Sequence, residues 1–176
     1  GKGHVVMKFS PEGELLMTLG TSGVGAAGTD TLDQPCDVVV ASDGTIYVAD
    51  GHGGQLPGAG PHTTARVVKF APDGTYLTEW GSHGTGPGQF QTPHAIDIDS
   101  RGRVVVADRG NDRLQVFDPD GTFIEAAQDV EEAITSKPTS FEMHRRNARA
   151  LFLFAAKRGW CKEGVLKAIE PRKARA

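Results

Sequence analysis

The sequence predicts an all-β fold built from a repeated four-stranded unit and followed by a C-terminal α-helical tail. Three observations carry this. First, a pattern is written twice: Gln34-Pro35-Cys36-Asp37-Val38 and Tyr47-Val48-Ala49-Asp50-Gly51-His52 return as Thr92-Pro93-His94-Ala95-Ile96 and Val105-Val106-Ala107-Asp108-Arg109-Gly110. Second, the segments rich in Val, Ile and Phe are short, and Asp-Gly and Asn-Asp turns separate them. Third, residues 1–136 hold 8 Lys and Arg against 19 Asp and Glu, a formal charge of −11, whereas residues 137–176 hold 11 against 3, or +8.

In chain order, His4 to Phe9 and Glu14 to Leu19 read as two strands joined at Ser10-Pro11-Glu12-Gly13. The first full copy then runs through Asp37 to Val40, Tyr47 to Asp50, Arg66 to Phe70 and Thr75 to Trp80, with turns at Ser42-Asp43-Gly44 and Pro72-Asp73-Gly74. The second runs through Ala95 to Ile98, Arg103 to Ala107, Arg113 to Phe117 and Thr122 to Glu125. Gly74 to Gly121 spans 47 residues, the spacing of four-stranded propeller blades. Asp50 to Asp108 spans 58, and the surplus of 11 lies in the loop from Gly53 to Pro61, an insertion expected on a blade's binding face.

The opening pair matches the third and fourth strands of the full copies. The expectation is therefore an incomplete propeller over residues 1–130, a half blade plus two blades, with Asp37 to Val40 and Ala95 to Ile98 innermost. Open strand edges need covering, so a homo-oligomer is expected, or a tail folded back as a cover.

The break near Ser136 joins unlike segments, and residues 131–176 are expected to form a basic helical segment. Thr139 with Glu142 forms a capping box. The apolar run Ala150 to Ala156 ends at Gly159, and a second helix is expected from Lys162 to Ile169, stopped by Pro171. No aromatic-basic motif accompanies the charge, so nucleic acid is not the expected partner. No run of 18 apolar residues predicts a membrane span, and Gly1-Lys2-Gly3 does not read as a signal peptide. Cys36 and Cys161 are one pair in unlike segments, which makes no disulfide framework. Cys36 reads as a small packed residue of an inner strand, with zinc ligation as the alternative.

Taken together, the segments Gln34-Pro35-Cys36-Asp37-Val38, Ala49-Asp50-Gly51-His52-Gly53-Gly54, Ala65 to Phe70, Gly86-Pro87-Gly88-Gln89-Phe90, Pro93-His94 and Ala107-Asp108-Arg109 resemble NHL-repeat six-bladed β-propellers, and more closely bacterial relatives of peptidyl-α-hydroxyglycine α-amidating lyase. The resemblance covers residues 4 to 125. It implies zinc-dependent cleavage of peptidyl-α-hydroxyglycine to a peptide amide and glyoxylate, and a secreted or periplasmic protein. It makes His94 a zinc ligand, Arg109 a catalytic contact to substrate, and His52 a catalytic residue at the place of the family's tyrosine. The zinc of that family is held by histidines of several inner-strand Pro-His motifs, of which this chain has Pro93-His94 alone, with Pro35-Cys36 at the equivalent place in the first copy. Three functions stay open on the sequence: a lyase-like enzyme, a non-catalytic NHL module presenting its loop face to a peptide or protein, and a truncated or chimeric product without activity. For Arg109, a salt bridge to Asp108 or Asp50 is the structural alternative. His62 and His83 read as solvated loop residues.

Overall fold

The computed structural model describes residues 3–127. The chain divides into two units at Ala127, and the expected helices of residues 139–169 lie outside the described residues. No described helix is long and apolar enough to cross a membrane.

Ten strands form three antiparallel sheets. A hairpin pairs β1 (Val6–Phe9) with β2 (Leu15–Leu19). A first four-stranded meander follows in the order β3 (Pro35–Val40), β4 (Ile46–Asp50), β5 (Arg66–Phe70) and β6 (Tyr76–Trp80). The second repeats it with β7 (Pro93–Ile98), β8 (Val104–Asp108), β9 (Arg113–Phe117) and β10 (Phe123–Ala127). These are the two full copies of the sequence repeat, as propeller-like sheets.

The turns form where Asp can hold them. Asp43, Asp73, Asp99 and Asp118 each accept the N–H two residues on, from Thr45, Thr75, Arg101 and Asp120, at 2.8–3.0 Å. Such turns fix register by mimicking a backbone hydrogen bond.

Alternation along β4 then divides the core. Tyr47 and Ala49 point into a cluster with Val67, Phe90, Ile96, Val104, Val106 and Phe117, which joins the two meanders. Ile46 and Val48 point the other way, into a cluster with Leu19, Leu32, Val68 and Phe70 that joins the hairpin to the first meander. A strand buried on both faces reads as a continuous apolar run rather than an alternating one. That accounts for Ile46-Tyr47-Val48-Ala49 and Val104-Val105-Val106-Ala107. Each such side chain contributes about 1.5–3 kcal/mol by leaving water.

The meanders meet along β3 and β4 on one side and β7 on the other. The Asp37 carboxylate accepts the Ile96 N–H at 3.0 Å, linking β3 directly to β7. At the far end Lys69 Nζ lies 2.9 Å from Asp120 Oδ1, and the Tyr47 hydroxyl donates to the Pro119 carbonyl at 3.3 Å.

Candidate functional site

The entry to each inner strand is built the same way in both meanders. Pro35 pairs with Asp50 and Asp37 with Ala49, so Cys36 is the extra residue of a bulge. Pro93 pairs with Asp108 and Ala95 with Ala107, which leaves His94 in the same bulge one repeat later. A bulge re-aims the side chain it carries. The Pro93-His94 motif therefore places its imidazole at a local break in the ladder.

Directly across from each bulge, the second strand ends in a buried aspartate followed by a short 3-10 turn, His52–Gln55 after β4 and Arg109–Asn111 after β8. Asp50 and Asp108 hold these corners. Asp108 Oδ1 accepts the Gln91 and Thr92 N–H groups at 2.9 and 3.1 Å, and its Oδ2 takes Arg113 Nε at 3.1 Å and Asn111 Nδ2 at 2.7 Å. Arg113 in turn donates to the carbonyls of Thr85, Gly86 and Gln89. In the first meander Asp50 accepts the Asp33 N–H at 2.7 Å and Arg66 Nε at 2.9 Å, while Arg66 reaches the Thr31 carbonyl and Glu79. Burial pushes the Asp50 carboxyl above its ordinary value, against the opposing pull of the Arg66 hydrogen bond and charge.

These Asp–Arg latches are the residues that sequence reasoning missed, and a signal for them existed. Arg66 and Arg113 open the third strand of each full copy, whereas the same place in the first hairpin holds Val5. The ion pair between Arg109 and Asp108 or Asp50, the alternative to a substrate contact, is not made, because both carboxylates are taken by Arg113 and Arg66.

Among the described residues the Arg109 guanidinium makes no hydrogen bond or ion pair. Its backbone N–H donates to the Thr92 carbonyl at 2.9 Å, which fixes the base of the side chain. Its charge is felt at Cys36. Burial pushes the Cys36 thiol up to about 12, Asp50 and Asp37 add to the rise, and Arg109 opposes it. Cys36 is therefore a neutral thiol, 3.6 Å from the Gln34 carbonyl.

The structure brings His52 and His94 together, with ring centroids 5.5 Å apart and planes inclined by 50°. The inserted loop makes this contact. Gly54 packs so closely on the next blade's entry that a Cβ there would lie 1.6 Å from the Gln91 carbonyl oxygen, so only glycine lets the turn approach. The Gln55 amide nitrogen stands 2.9 Å from His52 Nδ1, and as a donor it requires that nitrogen unprotonated. His83 departs from the solvated loop residue expected of it. It bridges to Phe90, and its Nε2 is buried without a partner.

Whether these residues fit a zinc ion is a question of donor count. A catalytic zinc takes about three protein ligands. Among the described residues no group of three His, Cys, Asp or Glu side chains converges. His52 and His94 are two imidazoles with no third donor converging on them, so residues 3–127 do not by themselves fit a catalytic zinc.

Residues 90–117, spanning the Pro-His bulge, the Asp–Arg latch and Arg109, match the family model described as NHL repeat. Residues 90–117 thus carry one NHL repeat within the second meander. It is 42% identical over 120 residues to human NHL repeat-containing protein 3, covering 67% of this chain and 32% of that protein. It is 36% identical over 126 residues to mouse peptidyl-glycine alpha-amidating monooxygenase, covering 66% of this chain and 12% of that one. A probable peptidyl-alpha-hydroxyglycine alpha-amidating lyase of Caenorhabditis elegans is 30% identical over 118 residues, covering 65% of this chain and 31% of the relative. The chain thus spans about a third or less of the length of these relatives.

Proposed function

We propose that this chain is the ligand-binding part of a lyase-related NHL β-propeller, and that its inner-strand end takes a peptide by the terminal carboxylate. The observation that carries the reading is the state of Arg109. Arg66 and Arg113 are spent on buried aspartates and loop carbonyls, whereas the Arg109 guanidinium is uncommitted among the described residues. A guanidinium fork binds both oxygens of a carboxylate, which a lysine cannot do in the same geometry. The turn of Arg109–Asn111 packs on β7, which carries His94, and His52 lies against His94, so imidazole groups adjoin the strand that the Arg109 turn contacts. Binding of a peptide ending in a free carboxylate should weaken by about 10- to 100-fold in Arg109→Ala, the loss of a charge-assisted pair. Recovery to within threefold in Arg109→Lys would refute bidentate recognition.

A second reading is favoured by the 5.5 Å His52–His94 pairing and by the relatives named as lyases. In it His94 contributes to a zinc completed by donors outside residues 3–127. His52 would take the proton of the α-hydroxyl and return it to the departing amide nitrogen as the C–N bond breaks, leaving a peptide amide and glyoxylate. Histidine serves as a base near neutral pH without further tuning. Metal analysis of the purified chain separates the two. The first reading predicts zinc well below one equivalent; one tight equivalent that disappears in His94→Ala would establish the second.

A further inference from the structure

We infer that Gln91 is a further specificity-determining residue of the inner-strand end: its side-chain carbonyl accepts the N–H of the last peptide bond of the ligand. This rests on the reading in which Arg109 takes the terminal carboxylate.

Gln91 is where the two turns of the site meet. Its own N–H is held by Asp108 Oδ1 at 2.9 Å. From the first blade, Gly54 of the His52–Gln55 turn packs on its backbone, where a Cβ would lie 1.6 Å from the Gln91 carbonyl oxygen and 2.7 Å from its carbon. From the second blade, Gly110 of the Arg109–Asn111 turn packs on its side chain, where a Cβ would lie 2.7, 2.8 and 3.0 Å from Gln91 Cβ, Cγ and Cδ. Both approaches need a residue without a side chain. One residue thus meets the His52 turn with its carbonyl and the Arg109 turn with its stem. The Arg109 N–H donates to the Thr92 carbonyl at 2.9 Å, which ties the base of the Arg109 side chain to the residue next to Gln91.

The repeat shows that these sizes are matched. By position, Gly110 is the counterpart of His52, and Gln91 is the counterpart of Asp33, whose N–H is held by Asp50 at 2.7 Å in the same way. The first blade therefore has a short residue at the entry and an imidazole on the turn. The second has a long amide at the entry and no side chain on the turn. The Gln91 stem fills the place that a side chain at residue 110 would take, so in this blade the entry residue, not the turn, supplies the polar group.

That polar group is uncommitted. Gln91 is half-buried, and among the described residues its carboxamide makes no hydrogen bond and is not buried. Its neighbours in the chain and the sheet differ: Gln89 Oε1 accepts the Gly86 N–H, and Gln115 bonds the Gly88 N–H and the Gln89 carbonyl. Packing on Gly110 uses the stem alone, which an apolar side chain would serve as well. A carboxamide adds an acceptor oxygen, and a stem already held in place loses little freedom when that oxygen binds. The N–H of the last peptide bond sits one α-carbon from the carboxylate. The ligand class is thereby narrowed from any carboxylic acid to one that bears an amide N–H on its α-carbon.

Calorimetry on the full chain tests this with acetyl-phenylalanyl-alanine, the same peptide with a C-terminal amide, and its ester analogue in which L-lactate replaces the alanine and oxygen replaces the N–H. The expected result is that the wild type binds the free acid about three- to tenfold more tightly than the ester, the worth of one hydrogen bond. Gln91→Met keeps an unbranched stem on Gly110; it should bind acid and ester alike while still preferring the acid to the amide. An unchanged urea midpoint, read from Trp80 emission, shows that the variant is folded, and should the midpoint move, the acid–ester comparison on the wild type still decides. Equal binding of acid and ester by the wild type, or a preference that survives in folded Gln91→Met, overturns the role of Gln91 and leaves the Arg109 reading standing. A wild type that does not distinguish acid from amide, or that binds none of the compounds, overturns that reading and this assignment together.

Discussion

Replacing Asp108 by alanine should unhinge the second blade's corner, and the size of the loss can be worked from its contacts. The carboxylate is fully buried and serves four donors, the Gln91 and Thr92 N–H groups, Asn111 and Arg113. Removing one partner of a buried ion pair costs about 3–5 kcal/mol because the other charge is left unmatched. The orphaned Thr92 N–H, on a fully buried residue, pushes the expectation to the upper end of that range. A domain has only ~5–15 kcal/mol in total. With a urea dependence of about 2 kcal/mol per molar, the unfolding midpoint should fall by roughly 2 M. Trp80 reports the transition, since its ring contacts Phe117 and Tyr47 across the blade interface. Trp160→Phe as background removes the second tryptophan signal. The control is Asp118→Ala, whose carboxylate holds only an exposed turn. If Asp108→Ala shifts the midpoint no further than Asp118→Ala, the latch does not hold the corner and the reasoning fails.

Other outcomes follow from the same geometry. With Cys161 replaced by serine, Cys36 should resist iodoacetamide at pH 8 in the folded chain and react on unfolding, because its thiol is pushed up to about 12; equal rates in both states would contradict this. For Asp99, burial raises the pKa but the Arg103 hydrogen bonds outweigh it, so the folded value lies below the ordinary 3.8. A depressed folded value contributes stability above pH 3.8 that is lost as pH falls through the folded value, so the urea-midpoint gap between wild type and Asp99→Asn should be present at pH 6 and close below that window. A gap unchanged down to pH 2 would show that Asp99 is not stabilised by Arg103. Gly54→Ala should displace the His52 turn, since its Cβ would overlap the Gln91 carbonyl; the expected result is a loss of ligand binding with the urea midpoint moved far less than by Asp108→Ala.

The blades were legible because every level of the sequence agreed: alternation, Asp-Gly turns and a fixed period named the strands and their order. The place of the site was legible for the same reason, since Pro35-Cys36 and Pro93-His94 recur at the head of each inner strand. For Arg109 the sequence offers a salt bridge to Asp108 or Asp50 as the alternative to a substrate contact, and the ladder gives those carboxylates to Arg113 and Arg66 instead. Asp108 and Arg113 are cross-strand partners in the ladder, and a pair directly opposite in a sheet lies closer than successive residues, whose side chains diverge. The His52–His94 contact could not be foreseen, because it depends on how the inserted loop packs through Gly54 onto Gln91. Packing of a long loop leaves no periodic trace in sequence. His83 differs on similar grounds: its Gly-rich surroundings suggest solvent, whereas its backbone bridges to Phe90 and its Nε2 is buried.

The central claim is that Arg109 reads a terminal carboxylate, and one comparison tests it most directly. The affinities of one peptide with a free C-terminal carboxylate, and of the same peptide ending in an amide, should be measured by calorimetry on the full chain and on Arg109→Ala. The account predicts that the carboxylate form binds at least about tenfold more tightly to the wild type, as a charge-assisted pair requires, and that the preference vanishes in the variant. Equal affinity of the two peptides for the wild type, or a preference that survives the loss of Arg109, would contradict it.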